Sequence, residues 1–433
     1  MELSQYLKIY PCPDTPGLNL VYSTKQSSSA LVPDPLLRAA REGALTGPDT
    51  GTLARLGFLV EDKAAEQAQM RDIFVTANKR HRPCNAVVVL NLDCNLACPY
   101  CYEGNFRGNL HMTPETAGLL VETVRRDWIG QGRDVKLSFY GGEPLLSLDL
   151  IRSISAPLQE AARARGTDYS FTLVTNGTLL TRPVAEELAS LGLTGAKITL
   201  DGPRETHDQS RPFVSGKGSF DAIVRNTAAV CDLLDLQLGG NYTRENYRSF
   251  PLLLDHLTAR GVTPDKVATV LFAPVVPKSG QRGVTDFNGT CTCSHEPWLV
   301  EASLFLREET LKRGYSAPKL RLTSCMVEFD DDLVVGYDGS LYKCPAFMAY
   351  DELRIGTLAD GVGEYAASHN LDMWKNEECL ECPYLPICFG GCRMLTMLRH
   401  GAIDGVDCRR EFYDASLEAI VRQDLAYQAT KKG

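Results

Sequence analysis

Apolar and polar positions change their rhythm twice along the chain. Between Asn85 and Phe272, short apolar runs alternate with longer stretches in which apolar residues recur every three or four positions. The runs Ala86–Leu92, Val135–Tyr140, Ser170–Val174, Ala196–Leu200, Leu236–Tyr242 and Ala268–Phe272 predict strands. The stretches Pro114–Asp127, Leu148–Arg165, Pro183–Leu191, Phe220–Leu234 and Tyr247–Arg260 predict helices between them. Strand and helix in strict alternation imply an α/β fold on a parallel sheet, either doubly wound or a partly closed barrel. In both, reactive groups gather at the carboxyl ends of the strands.

Outside this region the rhythm differs. Tyr6–Tyr10 and Leu18–Ser23 read as two strands around a Pro-Asp-Thr-Pro-Gly break, and Asp34–Glu42 and Thr52–Leu59 carry helical spacing. Residues 1–80 therefore predict a small separate unit, a hairpin followed by a winged-helix-like helical part. Trp298–Arg313 predicts a helix, with 298–315 as a linker after a domain at 85–297. Residues 316–433 have only short β-like pieces, Asp332–Gly336 and Leu341–Lys343, and too few apolar faces for a large core. Metal centres are expected to supply part of that fold.

Of the 433 residues, 44% are apolar and 23% charged, the balance of a globular protein. A net charge of −9 argues against a nucleic-acid partner, which requires a basic face. No signal peptide and no membrane span are evident, so a cytoplasmic location is expected. Fifteen cysteines in a reducing compartment point to metal ligands rather than disulfides. They cluster: three lie between Cys94 and Cys101, and seven between Cys325 and Cys408.

Cys94, Cys98 and Cys101 are spaced C-x3-C-x2-C just after the first barrel strand. Three thiolates can hold three irons of a cubane and leave the fourth open; buried or zinc-binding cysteines are the plainer alternative. Gly141-Gly-Glu-Pro144 follows the second strand, Thr175-Asn-Gly177 the third and Leu200-Asp-Gly-Pro203 the fourth, with His207, Asp208 and Arg211 just beyond. Each alone reads as an ordinary turn. Together, in order and at strand ends, they resemble the radical S-adenosylmethionine (SAM) enzymes. The resemblance implies a partial (β/α)6 TIM barrel in which a [4Fe–4S] cluster on Cys94, Cys98 and Cys101 cleaves S-adenosyl-L-methionine to a 5′-deoxyadenosyl radical. It further implies that Gly141 and Gly142 allow close approach to the cofactor and that Glu143 binds its amine. Arg211 would take the carboxylate, Tyr100 would present backbone to the adenine, and Asn176 and Thr199 would line the ribose.

The seven later cysteines, Cys325-x13-Gly339-x4-Cys344, Cys379-x2-Cys382-x5-Cys388-x3-Cys392 and Cys408, resemble a SPASM domain, against a zinc ribbon as the alternative. That resemblance implies two auxiliary [4Fe–4S] clusters, three in all. Cys379, Cys382, Cys388 and Cys408 would bind the distal one, and Cys325, Cys344 and Cys392 the nearer. The nearer cluster's fourth ligand is left open or falls to Cys291 or Cys293.

A hairpin plus winged-helix-like unit ahead of such a core resembles the recognition element of enzymes that modify ribosomal peptides, which binds a leader as an added strand. The opening Leu3-Ser-Gln-Tyr-Leu-Lys-Ile-Tyr-Pro-Cys-Pro13 resembles the geopeptide-type group, whose relatives include cyclopropane-forming enzymes. The implied function is a peptide maturase that abstracts a hydrogen from a ribosomal precursor peptide and installs a cyclopropane, a C–C cross-link or a thioether. A flavodoxin or ferredoxin would supply electrons. Anaerobic sulfatase maturation is the alternative, and a non-catalytic electron carrier is a third class. The sequence names no catalytic acid or base, with Asp208 and Tyr242 both open, and does not fix the peptide, the bond or the oligomeric state.

Overall fold

A computed structural model describes residues 1–80, 83–101, 108–275 and 297–428. The chain forms two units that interleave in sequence. One comprises Met1–Arg80, Lys319–Phe329 and the residues from Asn370 on; the other comprises His81–Pro318 and Asp330–His369.

In the first unit, β1 (Glu2–Leu3) pairs with β5 (Leu59–Val60). Strands β2 (Leu7–Pro11), β3 (Leu18–Ser23) and β4 (Ser28–Pro33) form an antiparallel sheet in that order. Central β3 buries Leu20, Val21 and Tyr22. Strand β4 goes beyond the expected hairpin; its Ser-Ser start and Pro end read as a turn in sequence. Helices Asp34–Arg41 and Pro48–Arg55 pack Leu37, Ala40 and Leu53 with Val21, Val32 and Phe58.

Two further helices, Lys63–Arg71 and Ile73–Asn78, go beyond the sequence expectation. The Asp62 carboxylate caps the first, accepting the Ala64 and Ala65 amides at 3.2 and 2.9 Å. Each buries so few apolar residues that periodicity does not reveal it. Their Met70 and Phe74 join Tyr6, Trp374, Leu380, Leu385 and Phe389 in one core. Phe74 meets Phe329, Trp374 and Phe389 edge-on, with ring centroids 5.4, 5.5 and 4.8 Å away. Residue 80 is therefore not a packing boundary: the amino-terminal stretch and the later cysteine-rich stretch share an interior.

In the second unit, β6 (Cys84–Asn91), β7 (Val135–Gly141), β8 (Tyr169–Thr175), β9 (Leu193–Thr199), β10 (Asp235–Tyr242) and β11 (Val267–Pro274) pair in parallel, each with its neighbour in sequence. A doubly wound sheet reverses its strand order; this one does not, and its order is that of a partial barrel. Alternate residues of β7 (Val135, Leu137, Phe139) face the core with Ile151, Ile154, Leu158 and Ala162 of the helix Leu148–Arg165. Strand β12 (Asp332–Val335) adds in parallel beside β6, followed by antiparallel β13 (Ser340–Tyr342), β14 (Gly356–Thr357) and β15 (Gly361–Val362). The expected domain at 316–433 is thus divided, because 330–369 extends the barrel sheet. Helix Pro297–Lys312 is no free linker either; its Leu299, Ala302 and Leu306 pack on Tyr242, Tyr247 and Phe250. Among the described residues no helix is long and apolar enough to cross a membrane.

The shared interior of the first unit sets a stability test. Phe74→Ala leaves a cavity under three aromatic rings and should cost about 3–5 kcal/mol, lowering the thermal transition of the metal-loaded protein. Leu31→Ala, at a side chain 57% exposed, should leave that transition unchanged.

Candidate active site

The parallel strands deliver four polar segments to one end of the sheet. Their first junction is made by backbone. Gly142 N donates to Asn91 O at 3.1 Å and Glu143 N to Asp93 O at 2.8 Å. A Cβ on Gly141, at φ 142°, would lie 2.3 Å from Asn91 O, and one on Gly142 would lie 2.1 Å from Asp93 O. The close approach expected of these glycines is therefore made to the start of the cysteine loop. Asn91 is fully buried; its side-chain nitrogen donates to Glu143 O and to Ser147 Oγ at 3.0 and 2.7 Å.

The Glu143 side chain has no exposed surface. Oε1 accepts the Leu145 amide at 3.0 Å and the Thr175 hydroxyl at 2.8 Å, and Oε2 accepts the Asn176 amide at 2.8 Å. Burial pushes its carboxyl above the usual carboxylate range, and the three donors pull back. A carboxylate has about four acceptor positions, so one remains beyond those that tie the ends of β7 and β8 together. Asn176 in turn donates to Asn95 Oδ1 at 2.8 Å and faces Cys94 Sγ at 3.7 Å. Asn95 donates to Thr178 Oγ1 at 2.8 Å. The third strand end thereby fixes the loop that carries the first cysteine. Thr199 closes β9 opposite Gly239 of β10.

Across the site, Tyr100 joins the loop to the last strands. Its hydroxyl donates to Asp201 Oδ2 and accepts from Arg211 Nη1 at 2.8 Å and Asn241 Nδ2 at 3.2 Å. Asp201 Oδ1 also accepts the Asn241 amide at 2.7 Å. Burial raises the Asp201 carboxyl while Arg211, Tyr100 and Asn241 draw it down. Arg211 stays cationic: burial lowers it, but Tyr100, Cys98 and Asp201 raise it further. His207 fixes this corner. Its Nδ1 accepts the Asp201 amide at 3.1 Å, so Nε2 carries the proton and donates to Ser219 Oγ at 2.9 Å. Ser219 passes the chain on to Arg211 O at 2.6 Å. Burial, then the Arg211 charge, hold His207 down at about 3, a neutral ring.

The fit to the expected cofactor can be judged from these atoms. Among the described residues, neither Arg211 Nε nor Asn91 Oδ1, both buried, has a hydrogen-bond partner. A cationic donor with spare capacity beside Cys98 suits a carboxylate such as that of SAM. Asn241 and Ser219 carry the corner although no sequence motif assigns them a role; Asp201 belongs to the Leu200-Asp-Gly-Pro203 segment at the end of the fourth strand, and Asn241 obeys the same strand-end rule.

A second site lies in the first unit. Cys379, Cys382, Cys388 and Cys408 line one cavity, with Glu378, Tyr384, Arg409 and Arg410. Gly391, at φ 77°, allows this closure, because a Cβ there would lie 2.2 Å from Asp407 O. Burial pushes the Cys388 thiol up to about 11 and also raises Cys379. Among the described residues no three His, Cys, Asp or Glu side chains converge as ligands of a single metal ion. Four cysteines around one cavity form the donor set that a [4Fe–4S] cluster takes. Cys325 and Cys392 belong to this unit and Cys344 to the other; Cys291 and Cys293 lie outside the described residues.

Residues 88–248 match the family model described as the Radical SAM superfamily. The chain is 33% identical over 240 residues to Fe-coproporphyrin III synthase of Methanosarcina barkeri, spanning 54% of each chain. It is 24% identical to a cysteine-type anaerobic sulfatase-maturating enzyme of Clostridium novyi, over 78% of this chain and 96% of that one. It is 25% identical to the PqqA peptide cyclase of Xanthomonas campestris pv. campestris, over 80% and 92%. Among solved structures, anSMEcpe with bound AdoMet and Cp18Cys peptide superposes with a TM-score of 0.64 at 20% identity, covering 81% of this chain and all of that one. Streptococcus suis SuiB bound to precursor peptide SuiA superposes with a TM-score of 0.56 at 14% identity, covering 94% and 98%. These likenesses establish the fold.

Glu143 offers a direct test of the junction. Glutamine has one side-chain oxygen for three convergent donors, so Glu143→Gln should leave a buried N–H unmatched and cost about 1–3 kcal/mol. Thermal unfolding of the metal-loaded variant, lowered against wild type, would confirm it; an unchanged transition would show that the carboxylate is not the tie. Every element of the strand-end site lies within residues 88–248, the segment that matches the Radical SAM superfamily model.

Proposed function

We propose that the chain is a radical SAM peptide maturase that takes a ribosomal precursor peptide, abstracts a hydrogen from one residue and installs a bond such as a cyclopropane, a C–C cross-link or a thioether. The observation that carries this reading is the first unit: its amino-terminal sheet presents β4 as an edge among the described residues, and the neighbouring Tyr6, Met70 and Phe74 share a core with Leu385, which lines the cysteine cavity. A peptide-binding edge and a place for an auxiliary cluster would both suit a maturase.

The two edges of that sheet are unequal. On β2, Arg422 Nη2 donates to Pro11 O at 3.1 Å and Lys8 pairs with Asp414 at 3.2 Å, so side chains of the helix Arg410–Gln428 reach this edge. On β4, Leu31 stands 57% exposed, and among the described residues β3 is the strand's one neighbour in the sheet. A leader peptide would add to β4 by main-chain hydrogen bonds, with its alternate side chains read by the flanking surface. SuiB, crystallised with its precursor peptide, matches 94% of this chain, which reaches into this unit. Fe-coproporphyrin III synthase matches only about half of it, and its activity is not carried over.

Cys94, Cys98 and Cys101 would hold the core cluster and Arg211 the cofactor carboxylate, with Glu143 and Asn176 keeping the strand ends in place. Cofactor and cluster together supply a radical able to take a hydrogen atom from an unactivated carbon. The chain's own residues order the loop, exclude water from Glu143 and Asp201, and keep Arg211 charged. Cys379, Cys382, Cys388 and Cys408 would hold an auxiliary [4Fe–4S] cluster, and Cys325, Cys344 and Cys392 are proposed for another. An auxiliary cluster can accept the electron that the substrate radical loses, and a flavodoxin- or ferredoxin-type protein would serve as donor.

Deleting residues 1–80 would strip Tyr6, Met70 and Phe74 from the shared core, so the test of recognition is a surface change. Leu31→Glu should weaken, at least about tenfold or by about 1.4 kcal/mol, the binding of a labelled ribosomal precursor peptide that the wild type binds, in fluorescence anisotropy. Cofactor cleavage without peptide should be unaffected. Equal affinity in both proteins would remove β4 as the docking edge and favour sulfatase maturation, which addresses a large protein.

A further inference from the structure

The cavity of four cysteines contains two cations that the function described so far leaves unused. Cys408 is followed directly by Arg409 and Arg410, and both line the cavity. They face different thiols: Arg409 is charge partner and backbone donor to Cys388, and Arg410 is directed at Cys382. Arg409 is held in place from behind. Asp407, fully buried, pairs with Arg409 at 3.5 Å and with Arg399, and accepts the Cys392 amide at 3.1 Å. Two guanidiniums thus share one carboxylate. The helix that begins at Arg410 runs 19 residues, so its amino-terminal dipole adds positive potential beside the cavity. The opposing charge in the lining is Glu378.

We propose that Arg409 and Arg410 set the reduction potential of the distal auxiliary cluster, holding it high enough to take an electron from the substrate side. This rests on the assignment of a cluster to Cys379, Cys382, Cys388 and Cys408. Four thiolates make such a cluster anionic, and reduction adds one further negative charge, so nearby cations and donors to sulfur stabilise the reduced form more than the oxidised. Arg409 acts from a fixed, half-buried position. Arg410 is exposed and acts through a direct approach to sulfur, at the mouth where Cys408 is itself exposed. The electron transferred is the one released when the substrate radical is oxidised, and it leaves through an external one-electron carrier. Both arginines would act through the cluster and are positioning residues here.

The experiment is an EPR-monitored redox titration of full-length, anaerobically reconstituted protein, with iron content measured in parallel. The distal signal is the one that Cys408→Ser removes. In the Arg409→Gln/Arg410→Gln variant, the ratio of reduced to oxidised distal cluster at the wild-type midpoint should fall about tenfold, which is about 59 mV for one electron. The core cluster's midpoint should stay where it is. Arg410→Lys, which keeps the charge, should restore part of the shift relative to Arg410→Gln. An unchanged distal midpoint at full iron content would overturn the inference and leave the cluster assignment standing. Wild-type protein with no Cys408-dependent signal would overturn both.

Discussion

A buried carboxylate holds the reactive end of the barrel together. Glu143 receives the Leu145 amide, the Thr175 hydroxyl and the Asn176 amide, while its own amide and the Gly142 amide bond back to Asp93 and Asn91. Three strand ends converge on one residue, and the cysteine loop leaves from there. A charged group in a dry interior is costly unless its lone pairs are used, so the donors must be present for the carboxylate to be tolerated. Once present, they leave the strand ends little freedom. Arg211 is the counterpart on the far side. It is kept cationic by Tyr100, Cys98 and Asp201, with a buried Nε that none of the described residues engages.

The same economy appears in the first unit, where no long apolar helix face is available. Phe74 supplies one ring that three others meet edge-on, and Tyr6 and Met70 complete the interior. The helices Lys63–Arg71 and Ile73–Asn78 and the stretch around the cysteine-lined cavity thus share one interior and are coupled in stability, while the amino-terminal strands pack in a core of their own.

Much of this architecture is legible in the amino-acid sequence. Six strands lie where apolar runs are bounded by helical spacing, because burial of alternate or continuous apolar residues leaves a strong periodic signal. Cys379, Cys382, Cys388 and Cys408 meet around one cavity, the grouping that the resemblance implies. The elements that escape a sequence reading have weak local signal. Strand β4 begins with two serines and ends in proline. Helices Lys63–Arg71 and Ile73–Asn78 bury residues against partners some 300 positions away, a relation no window of sequence contains. Strand β12 belongs to the barrel because it pairs with β6, although its neighbours in sequence are cysteine-rich. The motif marks Glu143 as a ligand-binding group; its oxygens prove to be engaged mainly by the protein, since a motif records a residue type but not its partners.

Everything proposed for the barrel depends on the loop of Cys94, Cys98 and Cys101 supporting reductive cleavage of SAM. The decisive measurement is 5′-deoxyadenosine formed by reconstituted, reduced protein, compared with the variant in which all three cysteines are alanine. Steady product is expected from wild type and none from the variant, with the iron bound by the later cysteines retained. Equal product from both proteins would contradict this role for the loop.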